Sequence, residues 1–294
     1  MVVAATACWG CGTVLSKQVL DRGVAPMTLL VIELAASVLL LGAGVWVLKR
    51  RGHLSSVGAR LALLGVLNPG VAYALGLWGL TSISASLSVL LWATEPILIV
   101  GLAVLLLRER VAAATVAGLL VALVGVALVI YRPGASGALV GVSLTVAAVG
   151  ACALYTVLTR RLLLDDGSLE VVLVQQLAAL GFAVVVALAT WVISGSTLGL
   201  PSEGSTWALA GASGAVYYGL AFWFFIAGLR GLPASVAGSA LPLIPVFGLA
   251  GAYLVGDRLA GRQWLGAALV LMAIAAVLRA HRGESRRVRP PRRG

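Results

Sequence analysis

Apolar residues run along this chain in blocks of about twenty, the length that crosses a bilayer's ~30 Å hydrocarbon core at ~1.5 Å per helical residue. What separates the blocks is short: one or two charges, a glycine or a proline. The pattern predicts spans near 1–20, 26–48, 60–80, 83–107 and 111–130, then 138–160, 169–194, 205–229, 232–256 and 262–279. Thr81-Ser82 and Gly231 leave almost no loop, so spans three and four, and eight and nine, are expected to form tight antiparallel hairpins. Lipid offers the backbone no hydrogen bonds, so each span must satisfy its own as a helix. The expected fold class is therefore an all-α integral membrane protein of ten transmembrane helices.

The pattern is also written twice. Residues 13–36 (TVLSKQVLDRGVAPMTLLVIELAA) align without a gap on 156–179 (TVLTRRLLLDDGSLEVVLVQQLAA), identical at nine positions, with Ser16/Thr159 and Lys17/Arg160 conservatively exchanged. Further on, Pro96 answers Pro245 and Gly118 answers Gly266. Five spans per copy is an odd number, so the second copy must enter the bilayer from the opposite side, giving two inverted five-helix repeats. The boundaries expected are 1–134 and 135–279, with a basic cytoplasmic tail over 280–294.

Composition agrees with a lipid setting: 61% of residues are hydrophobic and 11% charged, and the mean hydropathy is +1.07. A net charge of +11 would fit nucleic acid in a soluble protein, but here many of the basic residues lie in the tail and most others in short loops. That is the positive-inside signal, and beside a helix the tail would attract anionic headgroups. With both termini cytoplasmic, the outer side keeps only Lys17, Arg22, Arg132, Arg258 and Arg262 of the 21 basic residues. The expectation is a multi-pass protein of the cytoplasmic (inner) membrane that touches lipid and no nucleic acid. MVVAATACWG has no basic n-region, so no cleaved signal peptide is expected. Cys8, Cys11 and Cys152 fall in apolar segments, which argues against a disulfide framework, and no metal or cofactor is expected.

The end of each copy carries a recognisable pattern. SISASLSVLL leads to Glu95-Pro96 and then LLLRERV with Glu109; PASVAGSALPLIP leads to Pro245 and then YLVGDRL with Asp257. With Trp9-Gly10 and Lys17 in the first span, this resembles the EamA-type transporters of the drug/metabolite transporter superfamily. The resemblance covers almost the whole chain and implies two tandem five-helix units, each with a proline midway along its fourth helix and an acid closing it. It implies small metabolites or amino acids as substrates, usually exported. One departure is Glu33, where such proteins often carry Arg.

An ionisable side chain inside a membrane is costly unless paired or hydrated, so the few present mark candidate pathway residues. Glu95 lies near mid-depth of its span, and Pro96 removes a backbone hydrogen bond beside it. That combination suits proton coupling or capture of a substrate amine. Glu33 and Lys17 approach each other across the first hairpin: either they form an ion pair, or Lys17 snorkels to the headgroups and Glu33 faces a hydrated vestibule. Asn68-Pro69 interrupts the third span; Gln175 and Gln176 sit on the seventh, about 100° apart by helix geometry. Trp92, Trp223, Tyr73 and Tyr155, together with Trp9, Tyr217 and Tyr218, are deep aromatics that either line a cavity or pack helices. Pro96 and Pro245 are the paired helix breaks expected at a transporter's binding site. Glu109 and Asp257 read as local caps or partners of Arg110 and Arg258.

The leading function is thus a secondary transporter working by alternating access, an exporter coupled to the proton gradient, with a small molecule and protons as its ligands and a monomer or homodimer as its form. The alternatives are an uptake carrier or an intramembrane enzyme acting on lipid. The enzyme would need a nucleophile, base or metal array, and His53 and His281 stand alone outside the spans.

Overall fold

The computed structural model describes residues 1–48, 59–95, 138–162, 168–195, 198–225 and 243–287, and between 98 and 128 residues 98, 99, 101, 102, 105, 117, 118, 120, 121, 124, 125 and 128. All regular structure among the described residues is helical. In order come α1 (Val2–Asp21), α2 (Pro26–Val47), α3 (59–82), α4 (Ala85–Trp92), α5 (Ala138–Leu162), α6 (Ser168–Ser194), α7 (204–225), α8 (Ile244–Leu254) and α9 (Gly261–Arg287). Among the described residues, five helices are long and apolar enough to cross a membrane: Pro26–Val47, Ala62–Ser82, Leu139–Thr156, Leu169–Ile193 and Gly204–Phe225. Most of the span expected at 111–130, the hairpin at Gly231, Pro96 and the end of the tail lie outside the described residues.

Local chemistry sets the helix ends. Gly23, at φ 85°, turns the chain after α1, and Pro26 then opens α2 at a position where no backbone N–H is needed. Ile83 is extended between α3 and α4, and the Ser84 hydroxyl accepts the Leu87 N–H at 3.3 Å, so the expected tight hairpin closes on a capped helix. Large apolar side chains such as Leu39, Val185, Val192 and Leu254 point outward, as in helices surrounded by lipid.

α3 and α7 share an unusual design. Each is an α-helix widened midway by a π segment: Val66–Val71 in α3, around Asn68-Pro69, and Ala215–Leu220 in α7. The residue before each π segment is a glycine that lies on the backbone of the second helix of the other half. A Cβ on Gly65 would strike the Gln175 backbone of α6, and one on Gly214 would strike the Glu33 backbone of α2. Small residues let helices approach this closely in a membrane, where packing rather than water drives association. Gly10 does the same for α1 against α8, and Gly79 for α3 against α5. The two halves are therefore interleaved, and the polar positions of α2 and α6 are pressed to the centre.

Candidate functional site

The centre holds a cavity of about 320 Å³. Its walls come from both halves: Trp9 and Thr13 of α1, Asn68 and Tyr73 of α3, Trp92 at the end of α4, Cys152 and Tyr155 of α5, Tyr217 of α7 and Pro245 of α8. Glu95 is the only carboxylate among the described lining residues. α4 stops at Trp92, Ala93 and Thr94 form a turn, and the Thr94 hydroxyl donates to the Leu91 carbonyl at 2.6 Å. The helix break therefore begins just ahead of Glu95, which delivers the carboxyl to the cavity half-buried. The Cys152 thiol donates to Glu95 Oε1 at 3.2 Å. Opposite, Pro245 lines the cavity from the first described turn of α8; the residues of that span before Leu243 lie outside the described residues.

Aromatic packing fixes the walls. Tyr73 meets Trp92 and Tyr217 with centroids 5.4 Å apart and Tyr218 at 4.8 Å, while Trp9 stands edge-on to Phe222 at 5.4 Å. Contacts of this kind favour defined ring geometry over simple filling. The Thr13 hydroxyl donates to the Tyr217 hydroxyl at 3.2 Å, tying α1 to α7 across the halves. Asn68 is buried, and its Oδ1 has no hydrogen-bond partner. The cavity thus presents the Glu95 carboxyl on an aromatic wall, with Asn68 among the residues that line it.

The remaining sequence candidates lie elsewhere. Glu33 is fully buried outside the cavity: its Oε1 accepts the Ser16 hydroxyl at 2.6 Å and the Ser213 hydroxyl at 2.5 Å. It faces neither Lys17 nor a vestibule. Lys17 instead pairs with Asp21, one turn on, at 2.9 Å. Gln175 and Gln176 are both buried because α6 is enclosed on two sides. Gln175 accepts the Tyr155 hydroxyl at 2.7 Å and so touches the cavity through that side chain. Gln176 accepts the Ser37 hydroxyl and donates to the Tyr218 carbonyl at 3.3 Å, linking α6, α2 and α7. Trp223 does not join the site: it is 40% exposed and stacks on Phe224.

Asp257 also departs from the local role expected of it. Its Oδ2 accepts the Ser86 N–H at 2.9 Å, so an acid from the second half caps α4 of the first. Arg258 reaches the Tyr253 carbonyl and covers its ring at 3.8 Å instead. Thr13, Cys152, Phe222 and Phe225 line the cavity without having been singled out in the sequence; as small or apolar residues in apolar helices they carry no distinguishing pattern. A smaller cavity of about 150 Å³, lined by Trp78, Thr190 and Trp191 among others, has no ionisable lining residue.

A family model described as EamA-like transporter family matches the chain twice, over residues 1–131 and 139–279. A solved structure described as "Crystal structure of protein" is similar over 96% of this chain and 97% of its own, with a TM-score of 0.66 at 21% identity. At that identity the likeness concerns the fold alone. Among curated proteins none matches.

Proposed function

We propose that this chain, which belongs to the EamA-like transporter family, is a secondary transporter that moves a small metabolite or amino acid across the cytoplasmic membrane by alternating access. Membership itself makes it a multi-pass membrane protein of a small-molecule transporter family rather than of an enzyme family. In the finer reading, the chain has ten spans in two inverted five-helix halves, with both termini cytoplasmic. The halves rock about the central cavity and export solute in exchange for protons.

The observation that carries this reading is the cavity itself, where a carboxylate at a helix break is ringed by aromatic side chains from both halves. Glu95 is an acceptor in this wall and the Asn68 amide lines it too, so the site suits a solute that brings donors, above all an ammonium group. Aromatic faces add attraction for the same positive charge. A single carboxylate holds a proton or an ammonium in turn, and that competition links outward solute movement to inward proton movement. Motion about the site has the right construction, since the turn at Ala93 and the proline-bearing segment at Ile244-Pro245 bound the cavity from opposite halves.

Protein reconstituted in vesicles and loaded with amino acids or amines is expected to release solute when an opposing pH gradient is imposed. A panel of toxic amino-acid analogues, scored for raised tolerance on overexpression, identifies the solute class. Flux insensitive to the pH gradient overturns proton coupling, and accumulation in place of release overturns export.

A further inference from the structure

The Glu33 cluster lies outside the cavity and is not needed to bind the solute. Glu33 has no exposed surface, and Ser16, Ser213 and Ser37 around it have none either. Its Oε1 accepts both the Ser16 and the Ser213 hydroxyls, which lie 3.0 Å from each other. Its Oε2 is buried without a partner, and so is the hydroxyl of Tyr218, the side chain next to it. Gly214, pressed on the Glu33 backbone, closes the remaining side.

Charge accounting around this carboxyl is simple among the described residues. α1 offers Ser16, while its Lys17 is taken by Asp21. α7 offers Ser213, Tyr217 and Tyr218, α3 offers Tyr73, and α6 offers Gln176 by way of Ser37 and Tyr218. None of these is a cation. An ionised carboxylate here would be fully buried with no cation beside it and only hydroxyls, those of Ser16, Ser213 and Tyr218, to offset its charge, which is a costly arrangement in a membrane interior. Among the described residues no group of three or more His, Cys, Asp or Glu side chains that could hold a metal ion is found, and Glu33 is the one acid of this cluster.

We propose that Glu33 is a second proton-binding site, separate from the cavity: it is protonated on Oε2 in this closed arrangement and releases the proton only when α7 parts from α1 and α2. Once protonated, Oε2 can donate to the Tyr218 hydroxyl oxygen, so the pair is satisfied without a buried charge. The proton also removes the one charge that would oppose closing α7 over α2. Parting the helices admits water, which favours the ionised form, so rising pH shifts the equilibrium toward the parted arrangement. That last step rests on the alternating-access reading; the protonation itself does not.

Infrared difference spectroscopy on the full-length protein in vesicles, without solute, reads the carboxyl directly. At neutral pH the wild type is expected to show a protonated-carboxyl C=O band that exchanges slowly in D₂O. The band disappears in Glu33→Gln and survives in Glu95→Gln. Ser213→Ala, which keeps the carboxyl and removes one donor to Oε1, moves the band to higher frequency. A spectrum in which Glu33→Gln removes no such band, or in which sodium replaces it at neutral pH, overturns the proposal. Loss of proton-coupled flux in Glu95→Gln with the Glu33 band intact tests the cavity separately, so the two readings fail independently.

Discussion

Two acids are placed deep among the helices, and their surroundings differ in kind. Glu95 stands where α4 gives way to a turn, half-buried, facing a cavity of about 320 Å³, with the Cys152 thiol donating to it and the Thr156 hydroxyl beside it. Glu33 stands inside an unbroken helix, sealed by a glycine, with two hydroxyls on a single oxygen. The first environment leaves room for a ligand to supply what the protein does not. The second leaves room for a proton and nothing larger. Backbone continuity produces the difference: a helix end opens space around its side chains, whereas two helices brought together by Gly214 remove it.

The largest expected effect comes from breaking the seal. Gly214→Val places a side chain against the Glu33 backbone and is expected to destabilise the fold by about 3 kcal/mol or more, read as early thermal aggregation in detergent. Gly181→Val, on α6 with open space around it, is expected to change stability little. Equal behaviour of the two variants would mean that α7 does not pack on α2 as described.

On the cavity side the expected signs reverse. Asn68→Ala removes an acceptor that has no partner in the protein, so stability is expected to hold. Solute affinity falls roughly tenfold, the worth of a hydrogen bond of ~1.4 kcal/mol, in a binding or competition assay. A loss of stability with affinity unchanged would move Asn68 from the cavity's chemistry to the scaffold's.

Two smaller effects test the edges of the comparison. Asp257→Ala removes the cap on α4 and is expected to cost about 1 kcal/mol in thermal unfolding without altering the Glu33 cluster. Lys17→Met breaks a pair whose Asp21 is well exposed, and less than ~0.5 kcal/mol is expected. A large effect there would mean that Lys17 serves Glu33 after all.

The sequence exposes the parts of this design that follow from composition and punctuation. Apolar blocks mark α1, α2, α3, α6 and α7, and Asn68-Pro69 marks the widening of α3. Glu95, Trp92, Tyr73 and Tyr155 stand out because polar or amphipathic groups are rare in such helices, and the cavity gathers all four. Partnership is what the sequence conceals. The hairpin of α1 and α2 suggests Lys17 as the neighbour of Glu33, but helix rotation presents Ser16 instead, and Ser213 arrives from the other half. Nothing distinguishes Ser213 from other serines, nor Trp223 from the deep aromatics, until α7 is oriented. The cap from Asp257 to Ser86 is likewise a contact between halves that no local pattern encodes. The π segment of α7 lacks even a proline to announce it.

Coupling of solute to protons is proposed to rest on the cavity carboxylate. Its most direct test is pH-gradient-driven solute flux in vesicles, with wild type and Glu95→Gln reconstituted at equal density and equal thermal stability. Coupled flux is expected in the wild type and none in Glu95→Gln, because the amide neither titrates nor carries the charge that holds an ammonium. Flux in Glu95→Gln with the wild-type dependence on pH would contradict it.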